Sequence, residues 1–181
     1  MSSRRLAGAR DAAYLPGVND RIAFRVRPAT PLDAPLLARH RVEMFRDMGR
    51  LADESTAAEL RTAAEPLIGE WIAAGTYVGW VAEPVTRPGL AVGGAGVQLR
   101  PMLPRPGHQA PGMLSGPEAY VLNVFVERAW RRRGVASLLM DTVLNYARER
   151  RIRVVTLHAS DEGRPLYERL GFAATSEMRL G

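Results

Sequence analysis

The densest chemistry in the chain is the run Arg131-Arg132-Arg133-Gly134-Val135-Ala136-Ser137, which follows an apolar stretch, Tyr120–Val126, and opens an amphipathic one. A strand, a glycine turn and a helix in that order make an anion site. The first helical turn has unpaired backbone N–H groups, its dipole favours negative charge, and Gly and Ala let an anion approach closely. Arginines at the mouth add charge and directed hydrogen bonds. Taken alone, the pattern Arg-x-x-Gly-x-Gly/Ala is short, and roughly half an occurrence is expected by chance in a chain of this composition. Its context, after a strand and before a helix, gives it meaning.

A second element with chemical capacity is Arg164-Pro165-Leu166-Tyr167-Glu168-Arg169-Leu170-Gly171-Phe172. Tyr167 has a phenol that stays protonated at neutral pH and can give up that proton to a departing base. Glu118, Asn123 and His158 lie on or beside the strands flanking the Arg131 turn, and His40 and Glu43 lie on an early helix. Each is a candidate to line a site. The three histidines, His40, His108 and His158, lack metal-ligand spacing, so no metal is expected. Zero cysteines exclude disulfides, thiolate zinc sites and a cysteine nucleophile.

The elements that must position these residues follow from periodicity and turn chemistry. Ile22–Arg27 alternates as a half-buried strand does. Thr30, Pro31 and Asp33 start a helix that Gly49 ends. A second helix is expected from about Ser55 to Ala74, with Leu60, Ala64, Leu67 and Trp71 on one face and a kink or break at Pro66. Thr76–Ala82 and Leu90–Leu99 read as strands joined by turn residues, and Pro101–Pro117, with five prolines and three glycines, reads as a long loop. The nearly unbroken apolar run Tyr120–Val126 predicts a strand buried on both faces. Val135–Arg150 is an amphipathic helix, Arg153–Leu157 a strand, Pro165–Leu170 a short helix, and Phe172–Met178 a final strand. The order β-α-α-β-β, loop, β-α-β-α-β predicts an α/β fold, a mixed sheet with helices on both faces.

The 181 residues, 46% hydrophobic and 24% charged, suit one domain over residues 21–181 preceded by a loose arm over residues 1–20. No apolar run reaches membrane-spanning length and the first residues are not of signal-peptide type, so a cytoplasmic protein without a membrane partner is expected. All 25 basic residues are arginine and the net charge is +6. Residues 121–153 carry eight Arg against Glu127, Asp141 and Glu149, a local +5. A solvated helix face would explain that cluster, and a phosphate-bearing partner is the sharper reading. Nucleic acid is the less favoured version, because only Trp130 interleaves the arginines and no nucleic-acid-binding pattern is present.

Together these motifs resemble the GNAT superfamily of acetyl-CoA-dependent N-acetyltransferases. Arg131–Ala136 matches its Q/R-x-x-G-x-G/A coenzyme A signature, and LYERLGF its tyrosine-bearing helix. Segments similar to NVFV, LHAS, GRPLYERLGF and SEMRL occur in a bacterial subgroup. The resemblance implies a central twisted, mostly antiparallel sheet with a splayed parallel pair. It implies acetyl-CoA as cosubstrate and a primary amine of a small molecule or peptide as acceptor. The pantetheine arm would lie along Val124, Phe125 and Val126, and the pyrophosphate within Arg131, Arg132, Arg133, Gly134, Val135, Ala136 and Ser137. Tyr167 would be the general acid. Many relatives carry a glutamate base where this chain has Tyr120, so the base is open among Glu118, His158, Glu43 and His40, with Asn123 as an orienting group. That departure also leaves a non-catalytic acyl-CoA sensor as an alternative. A homodimer is expected by analogy only.

Overall fold

The computed structural model describes residues 23–107, 112–178 and 180. The expected arm over residues 1–20 and His108 lie outside the described residues. Strand β1 (Phe24–Pro28) leads through a 3-10 turn at Pro31–Asp33 into helix α1 (Ala34–Asp47). Helix α2 (Glu54–Ala73) and strands β2 (Tyr77–Pro84) and β3 (Gly93–Arg100) follow. The long loop contains a two-stranded ribbon, β4 (Arg105–Pro106) with β5 (Met113–Leu114). Strand β6 (Glu118–Val126), helix α3 (Val135–Glu149), strand β7 (Val154–Leu157) and helix α4 (Arg164–Arg169) complete the chain. The sheet order is β1-β2-β3-β6-β7, antiparallel except for the parallel pair β6–β7.

The two faces of the sheet pack separately. On one, Leu37 and Ala38 of α1 and Ala64 and Ile68 of α2 cover Tyr77 and Val81. On the other, Val135, Leu139, Met140, Val143 and Ala147 of α3 cover Trp80, Ala82, Ala95, Val97, Ala119 and Val121. Alternation along β2 and β3 sends neighbouring residues to opposite faces. Helices on both faces are thus what the α/β pattern predicts.

Four local expectations differ. Helix α2 buries Ala57, Ala64 and Ile68, while Leu67 is 43% exposed. Its small-residue side lets the helices approach closely, to where a Cβ on Gly69 would stand 3.5 Å from that of Ala34. The helix also runs unbroken through Pro66, which lies on the exposed side, where the carbonyl it leaves unbonded opens to water. Residues 172–178 form no strand: residues 173–178 are exposed, and this small and polar stretch offers no apolar row to bury. Strand β6 itself alternates buried and half-buried residues instead of being buried throughout.

Candidate active site

The register of β6 with β3 slips between Gly94 and Gly96, which pair with Phe125 and Leu122, so β6 carries one extra residue. Asn123 takes the strain at φ +57°. The bulge turns Leu122 and Asn123 to the same face, the α1 face, before alternation resumes with Val124 on the α3 side. Parallel pairing with β7 spans only Glu118–Val121 against Val154–Leu157. Beyond it, residues 122–126 have no strand neighbour on that edge, which leaves a cleft where the two parallel strands diverge.

At the far end of β6 the chain turns through Arg128–Trp130 into α3. Gly134 occupies the N-cap at φ +84°, a left-handed conformation that suits glycine. The first intrahelical bond there is donated by the Leu138 amide to the Gly134 carbonyl at 3.0 Å. The amides of Val135, Ala136 and Ser137 precede it, with no acid in the first turn and no side-chain cap. Among the described residues no side chain caps this terminus, which leaves its amides open to an anion. Arg132 and Arg133 are exposed beside it. Arg131 is more committed: its Nε donates to the Val126 carbonyl at 2.9 Å and its guanidinium pairs with Asp47 at the end of α1.

Tyr167 is half-buried on the α3 side, edge-on to Phe172 at 5.9 Å between ring centroids. Burial pushes its phenol pKa up, which keeps the proton in place. The other candidates gather on the opposite face. Tyr120 and His158 share a short hydrogen bond between the hydroxyl and Nδ1, and His158 Nε2 lies 3.8 Å from Glu177 Oε1. Arg100 stacks 3.5 Å over the Tyr120 ring. Asn123, 2% exposed, accepts from Arg41 Nη1 at 2.8 Å and donates to the Tyr77 hydroxyl at 3.5 Å. Burial raises the Tyr77 phenol to about 12. Gly96 leaves room for that ring, since a Cβ there would fall 1.9 Å from the hydroxyl. Glu118 is taken up by the Thr156 hydroxyl of β7. Glu43 pairs with Arg46 at 2.7 Å.

His40 is removed from solvent, with its ring 5.0 Å from that of Phe125 and neither nitrogen hydrogen-bonded. Its Nε2 stands 3.4 Å from Glu127 Oε1, an ion pair only if the ring is charged. Desolvation and the Arg39 charge outweigh Glu127 and push its pKa down to about 4, so the ring is neutral at pH 7. Sequence reasoning missed Arg41 and the Asn123 bulge; Tyr120, noted only as a departure, proves to be the partner of His158. No described group of acids and histidines could hold a metal, and no described helix is long and apolar enough to cross a membrane.

The sequence profile of the acetyltransferase (GNAT) domain matches residues 112–180. A GCN5-related N-acetyltransferase from Ralstonia eutropha JMP134 is 33% identical, with 88% of this chain and 98% of that one covered and a TM-score of 0.77. A predicted acetyltransferase from Clostridium acetobutylicum, solved with acetyl-CoA, is 26% identical over 88% and 96% of the two chains at a TM-score of 0.72. An aminoglycoside N-acetyltransferase in complex with CoA shares the fold at 18% identity, 88% and 93% coverage and a TM-score of 0.59. None of the curated proteins compared matches the chain.

Proposed function

The chain belongs to the GNAT superfamily of acetyltransferases, and on that footing we propose that it moves the acetyl group of acetyl-CoA directly to a primary amine of a small molecule or peptide. The observation that carries this reading is the uncapped α3 terminus joined to the open edge of β6, since one ligand can use both. The pyrophosphate would accept from the amides of Gly134–Ser137, with Arg132 and Arg133 at its flank. The pantetheine arm would run along Val124–Val126, where β6 has backbone groups without a strand partner. Arg131 shapes the turn through Val126 and Asp47.

The two sides of the sheet then supply opposite proton roles. A neutral amine attacks the thioester carbonyl carbon, the tetrahedral intermediate collapses, and the C–S bond breaks. Tyr167, held protonated by burial, gives its proton to the departing thiolate sulfur. On the α1 face, Tyr120 stands where relatives carry glutamate. Its hydroxyl takes a proton from the amine as it passes its own to His158 Nδ1, with Glu177 beside the far nitrogen. Glu118, bonded to Thr156, and the buried Asn123 serve as scaffold of the cleft.

Calorimetry with acetyl-CoA and thiol release across an amine panel test the reading. Saturable binding with turnover of at least one amine is expected. Absence of binding overturns it, and binding without turnover leaves the acyl-CoA sensor in its place.

A further inference from the structure

Resting on the acyl-transfer reading, we propose that Arg41 binds a carboxylate or phosphate of the acceptor, so that the substrate is an amine carrying its own anionic group. The arginines around Arg41 are paired with acids. Arg25 and Arg27 bond Glu83, and Arg27 also bonds Asp33. Arg39 pairs with Glu127, Arg46 with Glu43 and Glu54, and Arg128 and Arg131 with Asp47. Arg41, in the middle of α1 among them, has no acid partner among the described residues. Its hydrogen bond goes to the neutral Asn123 amide oxygen at 2.8 Å, and its guanidinium lies 5.0 Å from the Phe45 ring centre.

A guanidinium cannot shed its charge, and it offers five N–H donors of which Asn123 uses one. Burial disfavours its charged form, with only the Tyr77 and Tyr120 hydroxyls nearby to offset that. A charge drawn out of water without a counter-ion is costly. Arg41 is nevertheless only half-buried, so a ligand can reach it. Its placement ties the charge to the reaction. Asn123 is the residue before Val124, where the pantetheine is proposed to lie, and Tyr120 is the proposed proton acceptor. An anion on Arg41 therefore sits beside the place where the attacking amine must be. Arg100, stacked on Tyr120, adds a second cation on the same face for a doubly charged phosphate.

The test measures thiol release with matched acceptors: an amino acid against its carboxamide, and a phosphorylated amino alcohol against the free alcohol. It uses wild-type protein, R41Q and R41K, with the acetyl-CoA Kd measured for each. In the wild type, kcat/KM is expected to favour the anionic member by about tenfold or more, chiefly through KM. The pair with the larger ratio identifies the anion. In R41Q the ratio falls towards one, R41K keeps part of it, and the acetyl-CoA Kd is the same in all three. A wild-type ratio near one, or a ratio that survives in R41Q, overturns the proposal. If R41Q does not fold, R41K carries the assignment, its ratio expected below that of the wild type, and a wild-type ratio near one still overturns the proposal. Turnover of neutral and anionic members alike defeats only the Arg41 assignment. Failure to bind acetyl-CoA or to acetylate any amine defeats the transferase reading and this proposal with it.

Discussion

Tyr167 and His40 show how burial assigns opposite duties to single residues. At Tyr167 partial burial raises the phenol pKa and keeps in place the proton that the proposed mechanism hands to the thiolate. Tyr167→Phe should therefore lower kcat by a factor on the order of a hundred or more while leaving acetyl-CoA affinity unchanged. Steady-state kinetics beside calorimetry checks this, and an equal loss in both would make the tyrosine a binding residue. At His40 burial lowers the pKa to about 4, below its unfolded value of about 6.5. As pH falls, the unfolded chain takes up this proton first, so stability drains from about pH 6.5 and levels off near pH 4. Asp33 and Glu83 act lower. Arg27, and for Glu83 also Arg25, holds both at about 2, so their contribution is lost only as pH falls from the ordinary carboxylate range towards 2. Urea unfolding from pH 7 to 4 should show the first loss in wild-type protein and a flatter profile in His40→Gln.

Among the elements, the start of α3 was the most legible in the sequence, because its signal is local. Glycine at the cap, arginines before it and an apolar stripe after it each depend on neighbours within one helical turn. The bulge at Asn123 was not legible, since it is defined by register against Gly94–Gly96 on another strand. The buried side of α2 was misplaced by one residue for a similar reason: Leu67 is the more apolar choice, yet Ala57, Ala64 and Gly69 permit the closer packing. Residues 172–178 looked strand-like by position after α4, but a strand needs a partner edge and an apolar row. The site follows the same division. Signature residues could be named in advance, whereas the Tyr120–His158 bond and the unpaired Arg41 arise from elements distant in sequence. The α3 terminus also gives a prediction with opposed signs. Ser137→Asp puts an acid in the first turn, which should stabilise the helix by about 0.3–1 kcal/mol. It should also weaken acetyl-CoA binding about tenfold or more, because the carboxylate competes with and repels the pyrophosphate. Thermal melts and calorimetry must move in opposite directions; unchanged affinity would place the pyrophosphate elsewhere.

Across the whole molecule, the arginine cluster of residues 121–153 divides into two kinds of charge. Arg132 and Arg133 face solvent beside the α3 terminus, while Arg128 and Arg131 are held by Asp47 at the end of α1. Burial opposes ionisation of Asp47, but hydrogen bonds from Arg128 and Arg131 outweigh it and leave its pKa lowered. The same helix carries Arg41 in its middle, and Arg39 makes a further link to Glu127 at the end of β6. Helix α1 thus fastens the face proposed to receive the acceptor to the turn before α3 at two points. Asp47→Asn cuts one of them, freeing the Arg128 guanidinium and loosening that of Arg131 next to the proposed pyrophosphate position. Acetyl-CoA binding should then become more salt-dependent, because more exposed cations take part. The acceptor KM should rise by a factor on the order of ten, because Arg41 loses its fixed position relative to the thioester. Glu65→Gln, which breaks only the surface pair with Arg61 within α2, should leave the salt dependence as it was. If Asp47→Asn shifts the melting temperature but neither the salt dependence nor the acceptor KM, the clamp stabilises the fold without linking the two halves of the site.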